Sequence, residues 1–226
     1  MSDFSSVTAL AFDYYGTIAD KSALAGEIDL ALPGQGQAFA KLWFAQTQRY
    51  CFQNGMMARH IPWSELTKAS FKFTAQELAL DIDDATRDAW IEADTRLPAY
   101  AEAPSALARL ANKFNLHVLS MGSPWMIEQS QQNAGIAEHF TSVISAEPHK
   151  VYKPGKAAYD LGVHEIGAEA HQVAFVSGNS FDVIGASNYG YPTIWVRRYG
   201  QALDDLGITP DLIVTDLNDM ADQLGA

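Results

Sequence analysis

Six short apolar runs punctuate the chain, and each of them ends in small or polar residues. They are VTALAFD (7–13), LHVLSM (116–121), TSVISA (141–146), QVAFVS (172–177), TIWVR (193–197) and DLIVT (211–215). Their brevity and their β-branched residues favour buried strands over helices. Segments with helical spacing lie between them, at residues 104–114, 125–135 and 156–162. This alternation predicts an α/β fold with a parallel sheet that helices cover on both faces.

The stretch between the first two runs breaks this rhythm. From about residue 21 to residue 100 it is rich in helix formers and aromatic side chains and lacks strand signals. We therefore predict a Rossmann-like core of residues 1–18 and 101–226, with a small helical cap of residues 19–100 inserted after the first strand. Such a cap would cover the carboxyl ends of the strands, where open α/β sheets bind ligands. Most of its aromatic residues are expected to pack the cap itself.

Composition narrows the possible partners. The 226 residues include 48% hydrophobic and 19% charged residues, as in a folded globular protein, and the formal net charge is −12. Such a charge argues against nucleic acid and anionic membranes as partners, but a few local cations can still hold a small anion. The single cysteine, Cys51, excludes an intramolecular disulfide, and the six histidines show no metal-ligand spacing. The amino-terminal segment does not resemble a signal peptide, so we expect a cytoplasmic protein.

Four polar segments lie at or just beyond the carboxyl ends of predicted strands. They are Asp13-Tyr14-Tyr15-Gly16-Thr17, Ser120-Met121-Gly122, Val151-Tyr152-Lys153-Pro154 and Ser177-Gly178-Asn179-Ser180-Phe181-Asp182. Because parallel strands end at the same edge of a sheet, these segments should bring two carboxylates, an amine, several hydroxyls and an amide into one crevice. A lone Asp or Lys would more often be a cap or a surface charge. The occurrence of all four segments in order favours an active site.

Together these motifs resemble the haloacid dehalogenase superfamily over nearly the full chain, and its 2-haloacid dehalogenase branch in particular. The phosphatases of that superfamily have Asp-x-Asp-Gly-Thr in the first motif, whereas this chain has Tyr15 at the second acidic position. A tyrosine cannot replace the proton transfer of a carboxylate near neutral pH, nor help to hold magnesium. The resemblance therefore implies a hydrolase that is not a phosphatase and that needs no metal or other cofactor.

The resemblance also implies a covalent mechanism. Asp13 would attack the C2 carbon of a small 2-substituted carboxylic acid and form an ester with inversion. Water would then hydrolyse the ester at the Asp13 carbonyl carbon. Asp182 would activate that water, and Asn179 and Ser177 would help to position it.

Further roles follow from the same resemblance. Lys153 would lie between the two carboxylates, keep Asp13 ionised and stabilise charge during hydrolysis. Thr17 would bind an oxygen of Asp13. Tyr159 matches a tyrosine that supports the lysine in relatives, although plain packing is an almost equally good reading of this helical residue.

The substrate implied by the resemblance is a small carboxylate. Ser120 and backbone amides near Tyr14 and Tyr15 would hold its carboxylate group. Relatives of this branch are commonly homodimers through their cap helices, so we expect a homodimer here as well.

The leaving-group half of the site departs from the dehalogenase pattern. A departing halide needs hydrogen-bond donors or positive charge, which the dehalogenases supply with an Arg on the first cap helix and an Asn after the second-motif Ser. In this chain Phe44 and Met121 stand at those positions, and Phe181 replaces a frequent Trp. With Trp43 and Trp63, these residues predict an apolar, aromatic pocket.

Three hypotheses follow from this pattern. The first is an (S)-2-haloacid dehalogenase. The second is a hydrolase that uses the same Asp13 chemistry to open the ring of L-azetidine-2-carboxylate, where ring strain helps a tethered amine to leave. The third is a non-catalytic protein that only binds a small carboxylate. Retention of Asp13, Lys153 and Asp182 together argues against the third, because anion binding gives no reason to keep two carboxylates in the crevice.

Overall fold

A computed structural model of the protein describes residues 4–226 and confirms the predicted α/β fold. Each of the six apolar runs forms a strand: β1 Ala9–Phe12, β2 Asn115–Ser120, β3 Ser142–Ser145, β4 Val173–Ser177, β5 Thr193–Val196 and β6 Leu212–Val214. They form one parallel sheet in the order β3-β2-β1-β4-β5-β6. The strand order reverses between β1 and β4, and such a switch point opens a crevice at the carboxyl ends of the strands.

Nine α-helices lie within residues 4–226. They are α1 Ala23–Ala31, α2 Gly36–Met56, α3 Trp63–Glu77, α4 Asp84–Asp94, α5 Ala103–Ala111, α6 Pro124–Ala134, α7 Lys156–Ile166, α8 Ser180–Tyr189 and α9 Leu217–Leu224. The three helical segments predicted from the sequence correspond to α5, α6 and α7. None of the nine has both the length and the apolarity needed to cross a bilayer.

The sheet is buried on both faces because its central strand is apolar at every position. In β1, Leu10 and Phe12 pack into one hydrophobic cluster, while Ala9 and Ala11 pack into a second cluster on the opposite face. Alternate residues of a strand point to opposite faces, so this pattern requires helices on both sides. The two clusters anchor the strand that positions the first polar motif.

The segment between β1 and α5 is helical, as the sequence predicts. Helices α1–α4 pack on one another around an aromatic cluster, whose ring centroids are 5.1 to 6.2 Å apart. The members of this aromatic cluster are Phe39, Trp43, Phe71 and Trp90. The domain limits at residues 19 and 100 stay a prediction, and residues 1–3 of the expected core lie outside the described residues.

The chain enters and leaves this helical segment at adjacent points. Ala19 and Ala99 form an antiparallel bridge, and the Tyr100 amide donates to the Ile18 carbonyl at 2.9 Å. Both crossings therefore lie side by side, a few residues beyond the end of β1.

We predict that Phe71→Ala lowers the free energy of unfolding by about 3–5 kcal/mol, because it opens a cavity in the aromatic cluster. The matched control is Leu30→Ala on α1, where the side chain is 87% exposed; it should change stability by less than about 0.5 kcal/mol. Urea denaturation of the two variants measures the difference. Equal losses would show that the cluster does not hold the cap helices together.

Candidate active site

Asp13 directly follows β1 and lies at the switch point of the sheet, with only 7% of its surface exposed. Its Oδ2 atom accepts hydrogen bonds from Thr17 Oγ1 at 3.1 Å and from Asn179 Nδ2 at 2.7 Å. Its Oδ1 atom lies 3.2 Å from Lys153 Nζ. Both oxygens of the carboxylate are thus held by protein donors in a fixed orientation.

Lys153 lies between the two carboxylates of the predicted site. Its Nζ atom, besides contacting Asp13, donates to Asp182 Oδ2 at 2.8 Å, and its side chain has no exposed surface. Burial acts to lower the pKa of Lys153, but the negative charges of Asp182 and Asp13 outweigh it and hold the pKa above its ordinary value. The ammonium group therefore stays charged and joins the first, third and fourth motifs.

Asp182 lies in the first turn of α8 and is completely buried. Its Oδ1 atom accepts a hydrogen bond from Tyr159 Oη at 2.7 Å. Burial raises the pKa of Asp182 to about 6; the Lys153 charge acts against this shift and the Asp13 charge adds to it. A carboxylate with a pKa near 6 can accept a proton from water and lose it again close to neutral pH.

The loop of the fourth motif packs tightly on the first. The Gly178 amide donates to Thr17 Oγ1 at 2.8 Å, and the Asn179 amide donates to Ser177 Oγ at 3.0 Å. A Cβ atom on Gly178 would lie 2.3 Å from the Gly16 carbonyl oxygen, so only glycine permits this approach. Ser177 itself is buried, and its hydroxyl oxygen accepts this bond from the loop backbone.

The second motif lies against Tyr15. Ser120 Oγ accepts a hydrogen bond from the Gly122 amide at 3.2 Å, and a Cβ atom on Gly122 would lie 2.5 Å from Cε2 of Tyr15. Both Ser120 and the neighbouring Met121 are buried. The first and second motifs are therefore in direct contact, as their positions at adjacent strand ends predict.

The two tyrosines of the first motif point in different directions. Tyr14 turns its ring into the core and donates to Ser130 Oγ at 2.8 Å, so its phenol is not available to a ligand. Tyr15 stacks on Trp63 with ring centroids 5.6 Å apart, and its buried hydroxyl has no hydrogen-bond partner. Burial, and then the charge of Asp94, raise the pKa of Tyr15 well above its ordinary value, so it stays neutral.

Sequence reasoning missed an ion pair beside Phe44. Lys21 Nζ lies 4.7 Å from the Phe44 ring centroid and 5.3 Å from that of Tyr15, and it donates to Asp94 Oδ1 at 2.6 Å. The Asp94 side chain is 1% exposed, and its Oδ2 atom has no partner. In the sequence, the one indication of this pair is that Lys21 and Asp94 have opposite charges and lie near the two ends of the cap segment.

Two other predicted pocket residues have different surroundings. Trp43 lies in the aromatic cluster of the cap, and its indole donates to the Thr67 carbonyl at 2.9 Å. Phe181 is half-buried, and its ring meets that of Phe52 on α2 edge-on at 4.9 Å. Trp43 therefore packs the cap, while Phe181 lies at the contact between cap and core.

Two other kinds of catalytic centre, a metal site and a nucleophilic thiol, can be compared with the described residues. Within residues 4–226, no three His, Cys, Asp or Glu side chains are grouped as a metal-ligand set. Cys51 is fully buried, and burial raises the pKa of its thiol. A raised pKa disfavours the thiolate that a nucleophilic cysteine needs.

Comparisons with known proteins identify the family to which the chain belongs. A family model of haloacid dehalogenase-like hydrolases matches residues 7–190. The chain is 34% identical to an (S)-2-haloacid dehalogenase of Pseudomonas sp. (strain YL), over 93% of this chain and 91% of that protein. It is also 34% identical to haloacetate dehalogenase H-2 of Moraxella sp. (strain B), over 92% of this chain and 93% of that protein.

A solved structure shows the same similarity in three dimensions. The L-2-haloacid dehalogenase of Xanthobacter autotrophicus with chloropropionic acid covalently bound superposes with a TM-score of 0.90 and 28% identity, covering 97% of this chain and 99% of that one. The chain therefore belongs to the haloacid dehalogenase-like hydrolases, in their (S)-2-haloacid dehalogenase-like branch. The expectation of an enzyme of this class is confirmed.

We predict that Tyr159→Phe moves the acid limb of the pH–kcat profile upward by about one pH unit. The tyrosine hydroxyl lowers the pKa of Asp182, and a hydrogen bond to a charged group is worth about 1.5 kcal/mol. Without it, Asp182 becomes protonated at a higher pH, and activity is lost earlier as the pH falls. The control is Tyr189→Phe, which removes a hydroxyl bonded to the exposed Asp160. An unmoved acid limb in Tyr159→Phe would contradict the assignment of Asp182 as the base.

Proposed function

We propose that the protein hydrolyses small (S)-2-substituted carboxylic acids through an ester on Asp13, and that its substrate is an (S)-2-haloacid. The observation that carries the proposal is the placement of Asp13, Lys153 and Asp182 in one buried ion-paired group. The relatives support the same chemistry, because they are 2-haloacid and haloacetate dehalogenases and one structure holds chloropropionic acid covalently.

The first step is a nucleophilic substitution at the C2 carbon. A carboxylate oxygen of Asp13 forms a bond to C2, while the halide leaves from the opposite side with the bonding electrons. Thr17 and Asn179 fix the orientation of the carboxylate through hydrogen bonds to Oδ2. The configuration at C2 is inverted, and the product of this step is an Asp13 ester.

The second step is hydrolysis of that ester. Water attacks the carbonyl carbon of Asp13 while Asp182 accepts a proton from it. The bond between that carbon and the C2 oxygen then breaks, the proton passes from Asp182 to the departing oxygen, and the 2-hydroxy acid leaves. Donors that bind the Asp13 carboxylate in the free enzyme are placed to stabilise the negative charge that develops on its carbonyl oxygen. Tyr159 orients Asp182 throughout. One oxygen of Asp13 is thereby replaced by an oxygen from water.

A single-turnover reaction in ¹⁸O-labelled water tests this mechanism. With L-2-chloropropionate and enzyme in excess, we expect halide release, D-lactate and one ¹⁸O atom in the peptide that contains Asp13. Asp13→Asn should reduce halide release by about 10⁴-fold or more, because the amide is a poor nucleophile. Label that appears only in lactate would indicate direct attack of water on C2 and would refute the ester intermediate.

The leaving-group region provides a specific reason to keep the ring-opening reaction as a second candidate. Phe44 and Met121 offer no hydrogen-bond donors to a halide, and the nearby ammonium of Lys21 is neutralised by Asp94. The free Oδ2 atom of Asp94 and the hydroxyl of Tyr15 both lack partners. A ring amine brings N–H donors that could satisfy such acceptors, whereas a halide brings none. L-Azetidine-2-carboxylate is therefore the second candidate substrate.

We predict that Asp94→Asn changes the relative rates of these reactions. Removal of the carboxylate leaves the Lys21 charge uncompensated near Phe44, so halide release should rise, and any ring opening should fall, each by about tenfold for about 1.4 kcal/mol. Asp88→Asn, on the exposed side of the same helix, is the matched control. Parallel assays of halide and of hydroxy amino acid measure the ratio. An unchanged ratio would mean that the ion pair does not act on the leaving group.

Other expectations from the sequence stay predictions. They are independence of magnesium, a location in the cytoplasm and assembly into a homodimer through the cap helices. Activity after dialysis against a chelator tests the first, and sedimentation tests the last.

A further inference from the structure

A large groove lies between the cap and the core. Its volume is about 1050 Å³, and its walls are the carboxyl-terminal part of α2 with the residues after it, and the loop between β3 and α7. Its lining includes Lys153 and Phe181 of the third and fourth motifs. The groove therefore lies against the segments that carry Lys153 and Asp182, and the Lys153 side chain is buried behind its wall.

The groove is basic in a strongly acidic protein. Its lining contains Arg59, His60, Lys150 and Lys156 in addition to Lys153, and no Asp or Glu. Lys156 is paired with Asp160 at 2.6 Å. Arg59 and Lys150 are exposed, and neither has an ion pair among residues 4–226. Two uncompensated positive charges thus face one opening, although the whole chain carries −12.

A further polar group of the groove lacks a partner. The His60 ring stacks on Tyr152 with centroids 5.7 Å apart, and its buried Nε2 atom has no hydrogen-bond partner. Tyr152 in turn holds the backbone of Ile61 through two hydrogen bonds of its hydroxyl, at 2.9 and 2.7 Å. Tyr152, which belongs to the core, therefore contacts the cap residues His60 and Ile61 next to Arg59.

The catalytic groups need a route of this kind. Asp13 is nearly buried and Asp182 has no exposed surface. A carboxylate substrate approaching a protein of net charge −12 is repelled at long range, and only a local positive potential can offset that repulsion.

We propose that this groove is the entrance for the substrate anion, and that Arg59 and Lys150 raise the concentration of carboxylates there before they reach Lys153. The proposal rests on the proposed function in one respect, namely that the substrate is a carboxylate anion. Arg59 and Lys150 help to capture the substrate and take no part in the bond-making steps.

Kinetics over a range of ionic strength test the capture role. The double variant Arg59→Gln/Lys150→Asn removes both charges, and Asn suits the left-handed backbone of Lys150, whose φ is 58°. At low salt we expect kcat/KM for L-2-chloropropionate to fall by about tenfold with kcat unchanged, and the salt dependence to become shallow. Lys72→Gln, an exposed lysine of α3 outside the groove, should change neither value.

Binding of propionate provides a readout that does not depend on turnover. In a titration followed by amide NMR, we expect shifts at residues 59–60 and 150–151 and an affinity about tenfold lower in the double variant at low salt. Propionate binding can be measured even if the protein hydrolyses no haloacid. The titration therefore distinguishes a wrong proposed function from a wrong assignment of the entrance. Equal propionate affinity in the wild type and the double variant, with equal salt dependence, would overturn the proposal.

Discussion

One ammonium group, that of Lys153, makes the rest of the site possible. Two carboxylates lie within hydrogen-bonding distance of it in a region with almost no exposed surface. Without a cation between them, two buried negative charges would repel each other and at least one would take up a proton. Asp13 comes from the end of β1, Asp182 from the helix after β4 and Lys153 from the loop after β3. The order of the strands in the sheet therefore brings these three segments together.

The same region is fully paired, which explains how it holds its geometry. Each of the four carboxylate oxygens of Asp13 and Asp182 has a protein donor: Lys153 serves one oxygen of each, Thr17 and Asn179 serve the second oxygen of Asp13, and Tyr159 serves that of Asp182. A network in which every member is satisfied is rigid, and it presents charge without first having to reorganise. The neighbouring cluster of Tyr15, Lys21 and Asp94 differs, because Tyr15 and Asp94 both keep an unpaired atom.

The sequence was informative where geometry follows from strand order. Six apolar runs gave six strands, and the ends of those strands converge as parallel strands must, which places Asp13, Lys153 and Asp182 together. Other features depend on tertiary packing that no local pattern records. Lys21 and Asp94 are 73 residues apart and meet only in the folded cap. The inward turn of the Tyr14 ring likewise depends on Ser130 of α6, and the packing of Trp43 depends on α3.

The chain enters the cap segment near Ala19 and leaves it near Ala99, and these two residues lie side by side. This arrangement affects how the cap can change during evolution. Because the cap segment leaves and rejoins the core at adjacent points, its helices can be lengthened, reordered or exchanged without displacing the sheet. Lys21, Phe44, Arg59 and Asp94 all lie within that segment, whereas Asp13, Lys153 and Asp182 lie outside it. Changes within that segment can therefore reshape the cap side of the crevice without displacing the three charged residues that the core holds together.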